Sequence, residues 1–356
     1  MKGLRKFLTP FAPDISGAVS VLFELGGIIV ICDAGGCTGN VCGFDEPRWF
    51  GQKSAVFSAG LRDMDAIMGE DERLAGKIAD AAKKISAHFI ALVGTPVPAV
   101  IGTDYIALKH MVEKKTGLTV LAVDTNGMEL YDRGEQKALL AAYDAFAREK
   151  LPEEEGRINI MGMTPHDAAP DDFDACHLSL DEIRSASAVR QNIVCSPAAI
   201  PAAKLLRERF GTPYVTEYPG IFKSAKEISK TPAGVFGNVT EGILAAAGGE
   251  EALRGRSVLI VHQHVLAHSL KSALLQAGAR NVRVACWFMA ADEIREKDDV
   301  FLAEEDDFTL LVSSGSFDVI IADEALRPLA GDFRGTWIDF AHFALSGRTP
   351  RENPPR

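Results

Sequence analysis

The sequence predicts an α/β protein of three lobes, each a mostly parallel sheet flanked by helices. Three observations point to that class. Short apolar runs alternate with amphipathic stretches along all 356 residues. The runs are continuously apolar, as parallel strands covered by helices on both faces are, rather than alternating with a period of two. Two charged breaks, LPEEEG (151–156) and GGEEALRGR (248–256), part the chain into pieces of about one hundred residues, the size of a small doubly wound unit.

The elements follow in order. Strand-like runs fall at 26–33 (GGIIVICD), 88–94 (HFIALVG) and 118–124 (LTVLAVD), then at 157–163 (RINIMGM) and 192–196 (NIVCS). Four more fall at 257–263 (SVLIVHQ), 282–288 (VRVACWF), 308–314 (FTLLVSS) and 318–324 (DVIIADE). Each has strand length and β-branched or aromatic content. Helical patterns lie between them at 70–87, 134–150, 197–211 and 265–279. The expected lobes are residues 1–150, 151–250 and 251–356, each Rossmann-like. Ligands in such sheets sit beyond the carboxyl ends of the strands.

Composition excludes several classes. Net charge of −11 argues against nucleic acid, whose phosphates need a basic surface. No apolar run reaches the roughly 18 residues of a membrane span. The start, MKGLRKFLTPFAP, lacks the apolar core and cleavage site of a secretion signal. The six cysteines are too scattered for a disulfide framework, so a cytoplasmic protein with reduced thiols is expected. There is no Walker A loop, the nearest candidate, GEDERLAGK (69–77), having the wrong spacing. No strand leads into G-x-G-x-x-G, and neither G-x-S-x-G nor H-E-x-x-H occurs.

The stretch AGGCTGNVCGFDEPRW (34–49) carries the most chemistry. Cys37 and Cys42 form C-x4-C in a glycine-rich loop directly after a buried strand. Glycines such as Gly36 let backbone approach something bulky, so the pair is a candidate ligand set for an iron–sulfur cluster. Two incidental thiols are the alternative. Cys32, Cys195 and Cys286 lie in apolar strands and read as core, and Cys176 beside His177 reads as a chance neighbour. In HQHVLAH, His262, His264 and His268 cluster at a strand end. His264 and His268 share a helix face at a metal-binding spacing, but no carboxylate stands at similar spacing to complete a set. Plain surface histidines and a cluster facing a cleft both fit. His342, alone among apolar residues in WIDFAHFALSGR, reads as core.

Together these segments resemble nitrogenase component 1, the family of molybdenum–iron protein subunits, their cofactor-assembly scaffolds and the nitrogenase-like tetrapyrrole reductases. GGIIVICDAGGC resembles the strand and glycine–cysteine loop that supply a ligand to the family's interfacial cluster. VFSAGLRDMDAIMGEDERL (56–74) and GTPVPAVIGTDY (94–105) are similar to the stretches that follow, and NIVCSPAAIPAAKLLRERFGTPYVTEYPG (192–220) to the second domain. The likeness runs from about residue 12 to 348, in a chain shorter than typical nitrogenase subunits. Two family cysteine positions hold Pro13 and Pro96, so only Cys37 matches a ligand position and Cys42 is an additional thiol. The resemblance therefore implies a homodimer, in which two copies of Cys37 and Cys42 give four thiolates for one 4Fe–4S cluster. Asp14 is the alternative ligand, since carboxylates replace thiolates in some relatives.

The family's large cofactor needs a middle-domain cysteine, which has no convincing match here, and a C-terminal histidine, near which His342 falls one residue out of register. The resemblance implies a cleft between the lobes near His264, Glu217, Tyr218 and His342, with His264 and His342 as proton donors. It implies the catalytic component of a two-component reductase, fed by a separate P-loop iron–sulfur ATPase and acting on a small molecule, a tetrapyrrole or a metallocofactor. A non-catalytic scaffold or carrier for a metallocluster or tetrapyrrole is the rival expectation. A cluster-free binding protein is the third.

Overall fold

The computed structural model describes residues 5–49, 51, 54–62, 65, 69, 71–168, 176–218 and 239–347. Parts of three resembling segments, including 66–68, 219–220 and 348, lie outside those residues.

The first sheet holds β1 (Ile28–Ile31), β2 (Ala55–Ser58), β3 (Phe89–Val93) and β4 (Thr119–Val123) in the order β2-β1-β3-β4. All its pairings are parallel. Side chains of a strand alternate between faces, and here both faces are covered. Ile29, Ile31, Ala91 and Val93 pack with Val19, Leu22, Leu139 and Tyr143 on one side. Ile28, Val30, Ile90 and Leu92 pack with Leu74, Ile78, Leu108 and Val112 on the other. That two-sided burial is why the strands read as unbroken apolar runs.

The second sheet is β5 (Ile158–Met161), β6 (Gln191–Val194) and β7 (Tyr214–Thr216). The third holds β8 (Ser257–Val261), β9 (Asn281–Cys286), β10 (Val300–Phe301), β11 (Val319–Ala322) and β12 (Thr336–Asp339), ordered β10-β9-β8-β11-β12. Both are parallel throughout. The expected class, α/β with parallel sheets flanked by helices, is the class observed.

One expected strand is a helix. Residues 308–314 belong to Glu305–Ser314. Phe308, Leu311 and Val312 are buried while Leu310 is exposed, a spacing of three and four. Glu304 and Asp307 form a capping box, and three acidic residues fill the first turn, where the helix dipole favours them. Four strands carried no usable sequence signal: β2, β7, β10 and β12. Each is an edge strand of its sheet, and none is buried throughout.

Two features place the site. The segment before the first helix runs along the third sheet: Leu8, Phe11 and Ala12 pack with Leu259 and Ile320. There the Lys6, Phe7 and Leu8 amides donate to the Glu305 carboxylate at 2.7–2.9 Å. The chain then enters helix Asp14–Leu22, which crosses helix Tyr131–Phe146 through Gly17 and Gly134. A methyl at Gly17 would overlap the Tyr131 carbonyl, and one at Gly134 the Asp14 carbonyl. The crossing is closed by glycine because nothing larger fits.

Candidate functional site

At the carboxyl end of β1, Asp33 organises the cysteine turn. It accepts hydrogen bonds from the Thr38 amide (2.7 Å), the Thr38 hydroxyl (3.0 Å) and the Ser58 hydroxyl (2.6 Å). Gly35, at φ 122°, makes the bend that lets helix Gly36–Asn40 begin. That turn runs directly into a π-helical turn, Val41–Asp45, a widened winding often found at functional sites. Asp45 accepts from Ser16 and Asn40, each at 2.7 Å, and so ties the turn to the first helix.

Cys37 and Cys42 are half-buried free thiols on this turn. Among the described residues, a Cβ at Gly36, Gly39 or Gly43 would meet nothing within 4 Å, so the glycine side is open to them. Phe44 beside them is 63% exposed. Burial raises both thiol pKa values, helped by Asp33 at Cys37 and by Glu46 and Asp33 at Cys42. The resting thiols are neutral, and a metal must displace their protons.

Asp14 is placed differently. It is fully buried, and its oxygens accept from the Asn126 amide (2.8 Å) and the Gly127 amide (2.7 Å). Burial is the main cause of its raised pKa. The carboxylate clasps the loop that leads into helix Tyr131–Phe146, so both oxygens already serve the fold. Pro13 precedes the first helix, and Pro96 starts helix Pro96–Ile101 just beyond β3.

His342 and His264 lie in separate networks. His342 is buried where side chains from around all three sheets converge. The Tyr131 hydroxyl donates to Asp167 and stands 3.0 Å from His342 Nε2. Gln263 donates to the other Asp167 oxygen (3.2 Å) and to the Cys195 carbonyl (2.7 Å). His262 stacks on His342 with ring centres 4.3 Å apart. Thr164 donates to Glu135 at 2.5 Å, with His166 Nδ1 3.5 Å from the same carboxylate oxygen. Burial lowers the pKa of His262 and of His342 to about 3, so both rings are neutral. Burial also raises Asp167, Glu135 and Asp132.

His264 sits instead with His268 and Asp299. The Tyr218 amide donates to Ser269, and burial raises the Glu217 pKa. A cleft of about 490 Å³ does draw its walls from around all three sheets: Arg133 and Gln136, Ile200 and Lys204, Met289 and Glu293. His264, Glu217, Tyr218 and His342 do not line it. Phe288 forms part of its wall, and the same ring lies 4.8 Å from His342 and 4.9 Å from Tyr131. The Phe288 ring thus borders both the cleft and the buried network. Sequence reasoning did not single out Tyr131, Asp167, Gln263 or Asp299. His166 and Asp167, beyond β5, stood where the strand-end rule looks for ligands.

Residues 14–333 match the sequence profile described as Nitrogenase component 1 type Oxidoreductase. The chain belongs to that family. A curated relative, the nitrogenase iron-molybdenum cofactor biosynthesis protein NifE of Clostridium pasteurianum, is 26% identical over 199 residues, 51% of this chain. The match spans 43% of that relative's length. Among solved structures, "Nitrogenase Cp1 at pH 6.5" aligns with TM-score 0.69 and 13% identity, over 96% of this chain and 87% of the other. "Nitrogenase Cp1 at pH 5" aligns with TM-score 0.58 and 16% identity, over 97% and 78%. At such identities the structural likeness speaks for the fold. Among the described residues no helix is long and apolar enough to cross a membrane.

Proposed function

We propose that this family member carries an iron–sulfur cluster at the Cys37–Cys42 turn, shared with a second copy of the chain, and serves as a scaffold or carrier for a metallocluster. One contrast supports it. The cysteine turn is open on its glycine side, whereas the junction of the lobes is filled by packed, neutral rings of Tyr131, His166, His262 and His342. Among the described residues, the turn has open space beside its glycines, and the rings around His342 pack against one another. Cys37 and Cys42 of each copy would supply four thiolates, and the group they hold would store and pass single electrons. Asp33 positions the turn through Thr38 and Ser58, and Gly36, Gly39 and Gly43 leave the approach clear. The relative named as a cofactor biosynthesis protein is in keeping with a carrier role.

The catalytic alternative has its own observation, the cleft of about 490 Å³ with Phe288 bordering both it and the Tyr131–Asp167–His342 network. In that version a P-loop iron–sulfur ATPase feeds electrons in, and a small molecule or tetrapyrrole is reduced in the cleft. Anaerobic reconstitution decides the first point. Iron and sulfide should bind the dimer, and Cys37→Ala and Cys42→Ala should each lose them; unchanged iron in both variants would overturn the cluster. Supplying the ATPase partner and ATP then separates the roles. A carrier hands its cluster to an acceptor protein without turnover, while steady ATP-dependent substrate reduction would make it the catalytic component.

A further inference from the structure

His264 and His268 acquire from the fold the carboxylate their sequence neighbourhood lacks. Gln263 caps helix His264–Gln276 by accepting the Leu266 amide at 3.0 Å. His264 therefore opens the helix, and His268 follows one turn later on the same face. Asp299 arrives on the connection between β9 and β10. Its Oδ2 lies 3.0 Å from His264 Nε2 and 2.9 Å from His268 Nε2. One donor atom from each of the three residues falls within a 4.8 Å group. Asp299 Oδ1 is buried and, among the described residues, has no hydrogen-bond partner, an acceptor left over beside two imidazoles. His264 is fully buried, while the His268 side chain is 9% exposed and leaves one side of the group near solvent.

We propose that His264, His268 and Asp299 form a binding site for a first-row divalent metal ion such as zinc, distinct from the cysteine turn. Two imidazoles and a carboxylate suit such an ion, with water completing the coordination on the His268 side. Binding through Nε2 moves the proton of each ring to Nδ1. For His268 that is favourable, because Nδ1 lies 3.7 Å from the Glu296 carboxylate, the kind of partner that orients a ligating histidine. For His264 it has a consequence. Its Nδ1 now accepts the Ala291 amide at 3.2 Å, and a protonated Nδ1 cannot. Loading the site therefore releases Ala291 from the helix. Ala291 lies between Met289 and Glu293 of the cleft wall, so metal occupancy is coupled to that wall.

The test uses untagged, chelator-stripped full-length protein titrated with cobalt(II). One saturable equivalent per chain with a visible absorption band is expected, and it should persist in a Cys37→Ala/Cys42→Ala variant. His268→Ala and Asp299→Asn, checked for folding by circular dichroism, should each weaken binding at least about tenfold, since even partners behind the ligands are worth that much. Amide exchange at Ala291 should quicken on loading. Absence of the equivalent in the variant lacking Cys37 and Cys42, or parental affinity in both site variants, overturns the site. Unchanged Ala291 exchange overturns the coupling.

Discussion

Tyr131 and His342, 211 positions apart, meet with the phenol oxygen 3.0 Å from Nε2. Because the Tyr131 hydroxyl donates to Asp167, its oxygen accepts, and the His342 proton therefore sits on Nε2. Tyr131→Phe removes a donor from a buried carboxylate and an acceptor from a buried imidazole at once. His342 Nε2 stands 3.4 Å from the same Asp167 oxygen and can pair with it in part, so a loss of about 1–3 kcal/mol is expected. Urea unfolding should show a lower midpoint with an unchanged slope. An unmoved midpoint would mean that the network adds nothing to stability.

The neighbouring His262 makes a pH prediction. Its folded-state pKa is lowered to about 3, chiefly by burial and then by His342. Between the ordinary histidine value near 6.5 and that lower one, the unfolded chain binds a proton that the native protein refuses. Stability is then full above about pH 6.5 and falls as pH drops, by about 1.4 kcal/mol per pH unit for one such group. The buried carboxyls with raised pKa values act in the opposite sense, gaining protons natively as pH falls. A comparison with His262→Phe isolates the histidine. The stability of the native protein relative to the variant should decline from about pH 6 downward, and a difference independent of pH would refute the neutral ring.

The glycine crossing predicts a sharp position dependence. Gly134→Ala must push apart the helices Asp14–Leu22 and Tyr131–Phe146, and about 1–3 kcal/mol of destabilisation or more is expected. Gly39→Ala, where the new methyl meets nothing within 4 Å, should stay within about 0.5 kcal/mol of the parent. Thermal unfolding of the two variants side by side measures the contrast. Equal melting temperatures would show that the crossing relaxes freely.

What the sequence reveals follows burial. Strands such as β1 and β3, enclosed on both faces, stand out as unbroken apolar runs. Edge strands β2, β7, β10 and β12 do not, because at most one residue of each is buried and the pattern is weak. Residues 308–314 look like a strand only if the acidic run before them is ignored; Glu304 and Asp307 mark a helix start. The cysteine turn is local and so is visible as a motif. The Tyr131–Asp167–His342 network and the Asp299 partner of His264 are made by chain crossings, and no spacing rule brings residues 31–211 positions apart together.

Gly36 and Asp14 should separate cluster binding from folding. Gly36 faces open space beside Cys37, so Gly36→Ala should leave the unfolding midpoint within about 0.5 kcal/mol while crowding the room proposed for the cluster. Iron per folded chain should fall. Asp14→Asn does the reverse. Its new amide group presents donors where the Asn126 and Gly127 amides already donate, leaving at least one half-buried amide unpaired. A loss of about 1–3 kcal/mol is expected, with iron per folded chain unchanged. Iron lost in Asp14→Asn at parental stability would instead make Asp14 a cluster ligand. Such a result would release its carboxylate from the Gly127 loop on cluster binding, and amide exchange at Gly127 would rise with iron content.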